Sequence, residues 1–145
     1  NLAPKPWIPV QAPKGLLKEK SRGSISGKEI LQSSQAKCSE KVISFKRIEN
    51  LKMLYESGLP NFLENTFPGS TIILFGSYSK GEDTFDSDID IAIIGNKKKD
   101  INLEKFEYLL EREVILQFYE KFKDIHEHLK NNILSGILIG GYVKL

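Results

Sequence analysis

Cysteine is almost missing from this chain. Cys38 is the single one, so no disulfide can close within it, and a reducing, cytoplasmic setting is the expectation. It lies in a polar run with no histidine beside it, which argues against a catalytic thiol. Long apolar runs are missing too. None approaches the ~20 residues that cross a bilayer, and the N-terminus lacks the charged-then-apolar order of a secretion signal, so no membrane role is expected. Histidine is limited to His126 and His128. Residues two apart on a helix do not share a face, and their spacing therefore speaks against a metal pair. There is no internal repeat and no recognisable nucleophilic triad.

Net charge nearly cancels at +2, yet it is unevenly placed. Residues 1–47 hold ten Lys and Arg against Glu19, Glu29 and Glu40, a balance of +7, while residues 48–145 balance at −5. A basic arm ahead of an acidic domain reads either as a solvated leader or as a contact for nucleic acid. Trp7 is the lone ring in residues 1–42, which gives no stacking platform. Pro4, Pro6, Pro9 and Pro13 keep the first fifteen residues extended or irregular. A start at Asn1 rather than Met reads as a processed or excised piece. With 145 residues, 40% of them hydrophobic and 28% charged, the chain fits one globular domain. We place a basic, Pro-rich leader at 1–42, with the remnant of an upstream DNA-binding region as one reading of it, and the folded domain at 43–145.

The pattern predicts a short helix over Lys28–Ala36, capped by Ser26 with Glu29 in its first turn. From Ile43 the period is helical, and Leu51, Leu54, Tyr55, Leu59, Phe62 and Leu63 form an apolar stripe facing a sheet. Gly58 and Pro60 interrupt it, so two helices or one kinked helix should end before Pro68. Thr71–Phe75 is a β-branched run between Pro68-Gly69 and Gly76, and reads as a buried strand. Asp88–Ile94 reads as a second. Lys97-Lys98-Lys99-Asp100 marks a polar loop, either solvated or meeting a nucleic-acid backbone. Leu103, Phe106, Leu109 and Leu110 outline a helix crossing the sheet, and Val114–Tyr119 a third strand. Asp124, with Glu127 three positions on, resembles a capping box opening a helix buried through Ile125, Leu129 and Ile133 and ended by Gly136. The apolar run 137–143 reads as a short strand or a closing segment, with Gly140-Gly141 forming a turn. The fold class is α/β (α+β), a small mixed sheet flanked by helices.

The chemistry concentrates between Phe75 and Ile93. Gly76 lets main chain approach a phosphate closely, and Ser77 adds a hydroxyl beside exposed N–H groups. If Ser77 opens a helical turn through Lys80, its N–H groups favour an anion, and Lys80 adds a cation for a triphosphate. On a strand, Asp88 and Asp90 face one side and Ile89, Ile91 and Ile93 the other, with the two α-carbons roughly 6.6 Å apart. Two carboxylates so close repel unless a cation sits between them. Oxygen ligands without His or Cys favour Mg²⁺ or Mn²⁺ over zinc.

Gly76-Ser77, ten residues, then Asp88-Ile89-Asp90 resembles the signature of the polymerase-beta-like nucleotidyltransferase superfamily, in particular its minimal, archaeal-looking members. The likeness runs from about Tyr55 to Tyr142 and is specific within Gly76–Ile93. It implies transfer of a nucleoside monophosphate from a nucleoside triphosphate, ATP foremost, to an acceptor hydroxyl. By resemblance Gly76, Ser77 and Lys80 hold the triphosphate, and Asp88 and Asp90 bind the metal ions and are catalytic. Many members carry Arg where Lys80 stands; Lys keeps the charge but loses the bidentate fork. The family also carries a third carboxylate on a later strand. Here the matching slots, Ile115 and Gln117, are not acidic, and Glu113, at the strand's entrance two residues ahead of the likeliest one, is the acid that could serve in its place.

So small a domain leaves little chain for binding an acceptor. The resemblance allows a protein, an RNA end or a small molecule as acceptor, and a helical protein partner in a two-component transferase–antitoxin system. The alternative, drawn from the missing acid and the basic leader, is a non-catalytic nucleotide-sensing or DNA-associated regulator.

Overall fold

A computed structural model of the protein describes residues 28–144, with side chains from residue 39 onward. The prolines of the leader, Trp7, Ser26 and the Cys38 side chain lie outside the described residues. The chain divides into two compact units, residues 1–40 and 41–145. The described part of the first is the opening of helix α1 (Lys28–Ser57). This helix does not stop near Ala36 as its sequence predicts. No Gly or Pro occurs between Lys28 and Ser57, so nothing in the polar stretch breaks the hydrogen-bond ladder. Gly58 ends it, at φ +82°, and α2 (Leu59–Thr66) follows, with Pro60 in the first turn, where no N–H is needed.

The sheet is built from β1 (Thr71–Phe75), β2 (Ile89–Ile94), β3 (Val114–Tyr119) and β4 (Ile137–Gly140), in the order β3-β2-β1-β4. β1 and β2 are antiparallel, flanking the short helix α3 (Gly76–Lys80) and an irregular connection. β2 and β3 are parallel, linked by a crossover through α4 (Glu104–Leu110). β4 returns antiparallel to the free edge of β1. The sheet is therefore mixed and flanked by helices.

The two central strands are apolar because both of their faces are covered. Ile72, Leu74, Ile89, Ile91 and Ile93 pack with Leu54, Leu59, Leu63, Phe106 and Leu110 on one side. Ile73, Phe75, Ala92 and Ile94 pack with Phe122, Ile125 and Ile133 on the other. Of the predicted stripe, Leu54, Leu59 and Leu63 are wholly buried, Leu51 and Phe62 partly so, and Tyr55 is 52% exposed. It follows Leu54 by a single residue, which turns it about 100° away from the core.

Asp124 behaves differently from its prediction. It closes a 3₁₀ turn (Phe122–Asp124), its Oδ2 accepting the Lys121 N–H at 3.0 Å. Helix α5 (Glu127–Leu134) begins only after it, with exposed His126 at the cap. The carboxylate caps the 3₁₀ turn through the N–H three residues back rather than the first turn of the helix. Among the described residues no helix is long and apolar enough to cross a membrane.

Candidate functional site

Phe75, the last residue of β1, lies beside Asp90 in the antiparallel register. The chain then turns sharply into α3 through Gly76, at φ +78°. A Cβ placed on Gly76 would stand 2.6 Å from Asp90 Oδ2, well inside van der Waals contact. Glycine is thus required twice here, for a left-handed backbone and for the carboxylate pressed against it. Ser77 is half-buried and Lys80 is exposed in the last turn. Five residues make too short a helix for a substantial dipole, but the first turn leaves main-chain N–H groups without intrahelical partners. Ser79 Oγ donates back to the Gly76 carbonyl at 2.7 Å and tightens the turn.

Asp88 stands just ahead of β2 and Asp90 is its second residue. Both are half-buried. Asp90 shares a face with Ala92 and Ile94, so it opens the series that continues into the second apolar cluster. Its carboxyl is pushed above the usual carboxylate range, first by burial and then by the charge of Asp88. A carboxylate whose ionised form is disfavoured in this way would be relieved by a cation placed beside it.

On β3, Ile115 is level with Asp90 and Gln117 with Ala92. Gln117 is already engaged, accepting the Tyr119 hydroxyl at 2.8 Å. Glu113 is exposed just before the strand, and its main-chain carbonyl takes the Ile89 N–H at 2.8 Å. Among the described residues no group of three or more His, Cys, Asp and Glu side chains is placed to hold a metal ion. The Lys97–Lys99 loop is exposed, as are His126 and His128. A cavity of about 490 Å³ opens at the other end of the sheet, beside Thr71, Ile94, Phe122 and Tyr142. None of the predicted site residues lines it.

Behind the Gly76 turn lies a polar cluster that sequence reasoning missed. Asn50 on α1 donates from Nδ2 to the Tyr78 carbonyl at 3.1 Å, and the Tyr78 hydroxyl donates to the Asn50 carbonyl at 3.1 Å. Burial, reinforced by the nearby charge of Asp83, pushes the Tyr78 hydroxyl up to about 12, so it stays a proton donor. Asn50 Nδ2 also donates to Asp83 Oδ1 at 2.7 Å. No sequence spacing connects residues 50, 78 and 83, and only an Asn placed mid-helix hinted at a buried role.

A family described as "Nucleotidyltransferase domain" matches residues 57–139. The match spans the Gly76 turn, both aspartates and all of β3. Comparison with curated proteins finds no significant match. Among solved structures, the crystal structure of a nucleotidyltransferase candidate from Sulfolobus solfataricus is similar at 22% identity, over 69% of this chain and 95% of that chain. Its TM-score is 0.36, too low an overlap to support the fold.

Proposed function

The chain belongs to the nucleotidyltransferase domain family, and from that membership we propose that it carries out metal-dependent transfer of a nucleoside monophosphate from a nucleoside triphosphate to an acceptor hydroxyl. One observation carries this reading: the Asp90 carboxylate lies against Gly76, with Asp88 just ahead of the same strand and an environment that disfavours a second negative charge. A cation held by Asp88 and Asp90 removes that penalty. When bound, Mg²⁺ or Mn²⁺ supplies charge neutralisation at the phosphates and polarisation of the reacting oxygens. Gly76 and Ser77 present main-chain N–H groups and a hydroxyl to the triphosphate, and Lys80 adds a positive charge beside it.

In the proposed reaction the acceptor oxygen bonds to the α-phosphorus. The bond from that phosphorus to the bridging oxygen breaks, and pyrophosphate departs with the electron pair. The hydroxyl proton passes to solvent, because β3 offers Ile115 rather than an acid beside Asp90. ATP is the first nucleotide to test. The acceptor is a protein, an RNA end or a small molecule, and a helical partner in a two-component system is one source of an acceptor-binding surface. Nucleic acid remains a second partner class, through the basic leader.

Ile115 beside Asp90 also favours a second reading, a nucleotide-sensing or DNA-associated regulator that binds without turnover. Label transfer from each α-³²P nucleoside triphosphate, with Mg²⁺ or Mn²⁺ in source-cell lysate, separates the two. Label on a discrete acceptor with wild type, lost in Asp88→Asn, is the expected outcome. Metal-dependent nucleotide binding without any label would overturn the enzyme in favour of the regulator.

A further inference from the structure

The connection from Gly81 to Asp88 has no helix or strand, yet it carries the only buried charged residue among the described ones. The Asp83 side chain is 0% exposed. Asn50 Nδ2 lies 2.7 Å and Lys46 Nζ 3.4 Å from its Oδ1, and Arg112 Nη2 lies 3.2 Å from its Oδ2. Lys46 donates as well to the Asp83 carbonyl, and Arg112 Nη1 to the carbonyl of Phe85. Farther along, the turn Thr84–Ser87 is closed by the Ser87 N–H on the Thr84 carbonyl at 3.1 Å and the Thr84 N–H on Ser87 Oγ at 2.9 Å. The connection is therefore held by side chains from α1 and from the residue pair ahead of β3.

A buried carboxylate with partly exposed cationic partners contributes little to stability compared with apolar packing of the same volume, but here three side chains from two parts of the chain converge on its two oxygens. The geometry fixed here belongs to the site. Asn50 grips α3 through the Tyr78 carbonyl and the connection through Asp83, so the two segments bearing Gly76-Ser77 and Asp88 are referred to one amide. Gly81 brings the chain close enough for this. At φ +73°, a Cβ on it would stand 2.4 Å from the Ile43 carbonyl oxygen of α1.

We propose that Asp83 is a positioning residue of the transfer site: its carboxylate, clamped by Asn50, Lys46 and Arg112, sets where the connection delivers Asp88 relative to Gly76 and Ser77. The inference rests on the nucleotidyl-transfer reading and adds a residue that neither the motif nor the reaction names. Asp83 touches no reacting atom. It acts through the main chain of residues 84–88.

The test compares wild type, Asp83→Asn and Arg112→Lys in the whole chain, using the paramagnetic resonance spectrum of Mn²⁺ with ATP and hydrogen exchange. Asp83→Asn is expected to weaken Mn²⁺–ATP binding about tenfold and alter the bound-metal spectrum. Exchange should quicken in residues 84–88 while β1 and β3 keep their protection. Arg112→Lys keeps the charge and loses one of the two grips, and should show the same changes at smaller size if Asp83→Asn fails to fold. Wild-type affinity and spectrum in the folded variants, despite faster exchange, would reduce the cluster to a structural role and overturn the proposal. Wild type that binds no Mn²⁺–ATP would overturn the transfer reading itself, and the positioning role with it.

Discussion

Replacing Gly76 by Ala puts a methyl group where the Asp90 carboxylate stands, and the structure supplies its own control. Gly69 has nearly the same backbone angle, φ +79° against +78°, but nothing lies within 4 Å of a Cβ built on it. Both substitutions force an L-residue into the left-handed region, at about 1–2 kcal/mol. Gly76→Ala must also push Asp90 Oδ2 back from 2.6 Å, turning that side chain some 30° off its rotamer for about 0.5–1.5 kcal/mol more. Chemical denaturation should therefore show Gly69→Ala losing about 1–2 kcal/mol and Gly76→Ala about 1.5–3.5 kcal/mol. The excess should vanish when Asp90 is also replaced by Ala, because the couple is a direct contact. Transfer activity divides the pair more sharply. A carboxylate displaced by a fraction of an ångström to an ångström loses up to about 10²-fold in rate, whereas Gly69→Ala should retain wild-type turnover. Equal losses of stability and activity in the two variants would refute the claim that Gly76 is small because Asp90 needs the space.

Asp90→Asn should stabilise the metal-free protein at neutral pH. The folded state holds the Asp90 proton more tightly than the unfolded chain does, so stability falls as pH rises from the unfolded carboxylate value, near 3.9, through the raised folded one. Thermal melts of wild type and Asp90→Asn should converge at pH 3, where both states are protonated, and separate above it; added Mg²⁺ should raise wild type alone. Leu63→Ala, removing a wholly buried side chain between α2 and the sheet, should cost about 2–5 kcal/mol in urea denaturation. A loss below 1 kcal/mol there would mean the cluster collapses around the gap.

How much of this could be read in the chain depended on how local the determining contacts were. β1 and β3 are β-branched or aromatic runs with sharp boundaries, and their spans are those the residues predict. The break at Gly58 was equally plain, since only glycine tolerates that backbone angle cheaply. The full length of α1 is not legible, because its polar first half shows no apolar period, although it also contains nothing to stop a helix. The same division applies to the site. Gly76, Ser77, Asp88 and Asp90 stand within fifteen residues of one another, and alternation along a strand places both carboxylates on one side. Asp83, Asn50, Lys46 and Arg112 meet only after α1 has packed beside the connection, and no spacing rule joins positions 46, 50, 83 and 112. In the sequence, Asp83 is one acid in a polar loop.

The position of β4 carries a consequence for the order of assembly. β1 is the strand that turns into Gly76, yet one of its two ladders is made with Ile137–Gly140, after every other strand and helix of the domain has been synthesised. Thr71 Oγ1 then donates to the Tyr142 carbonyl, tying the far end of β1 to residues later still. A ribosome making this chain therefore releases the Gly76 turn long before the strand that covers the outer edge of β1. Until then the exposed main chain of β1 is open to pairing with any other unfinished strand. From synthesis of residue 75 until residue 140, one edge of β1 therefore waits without the strand it pairs with in the folded domain.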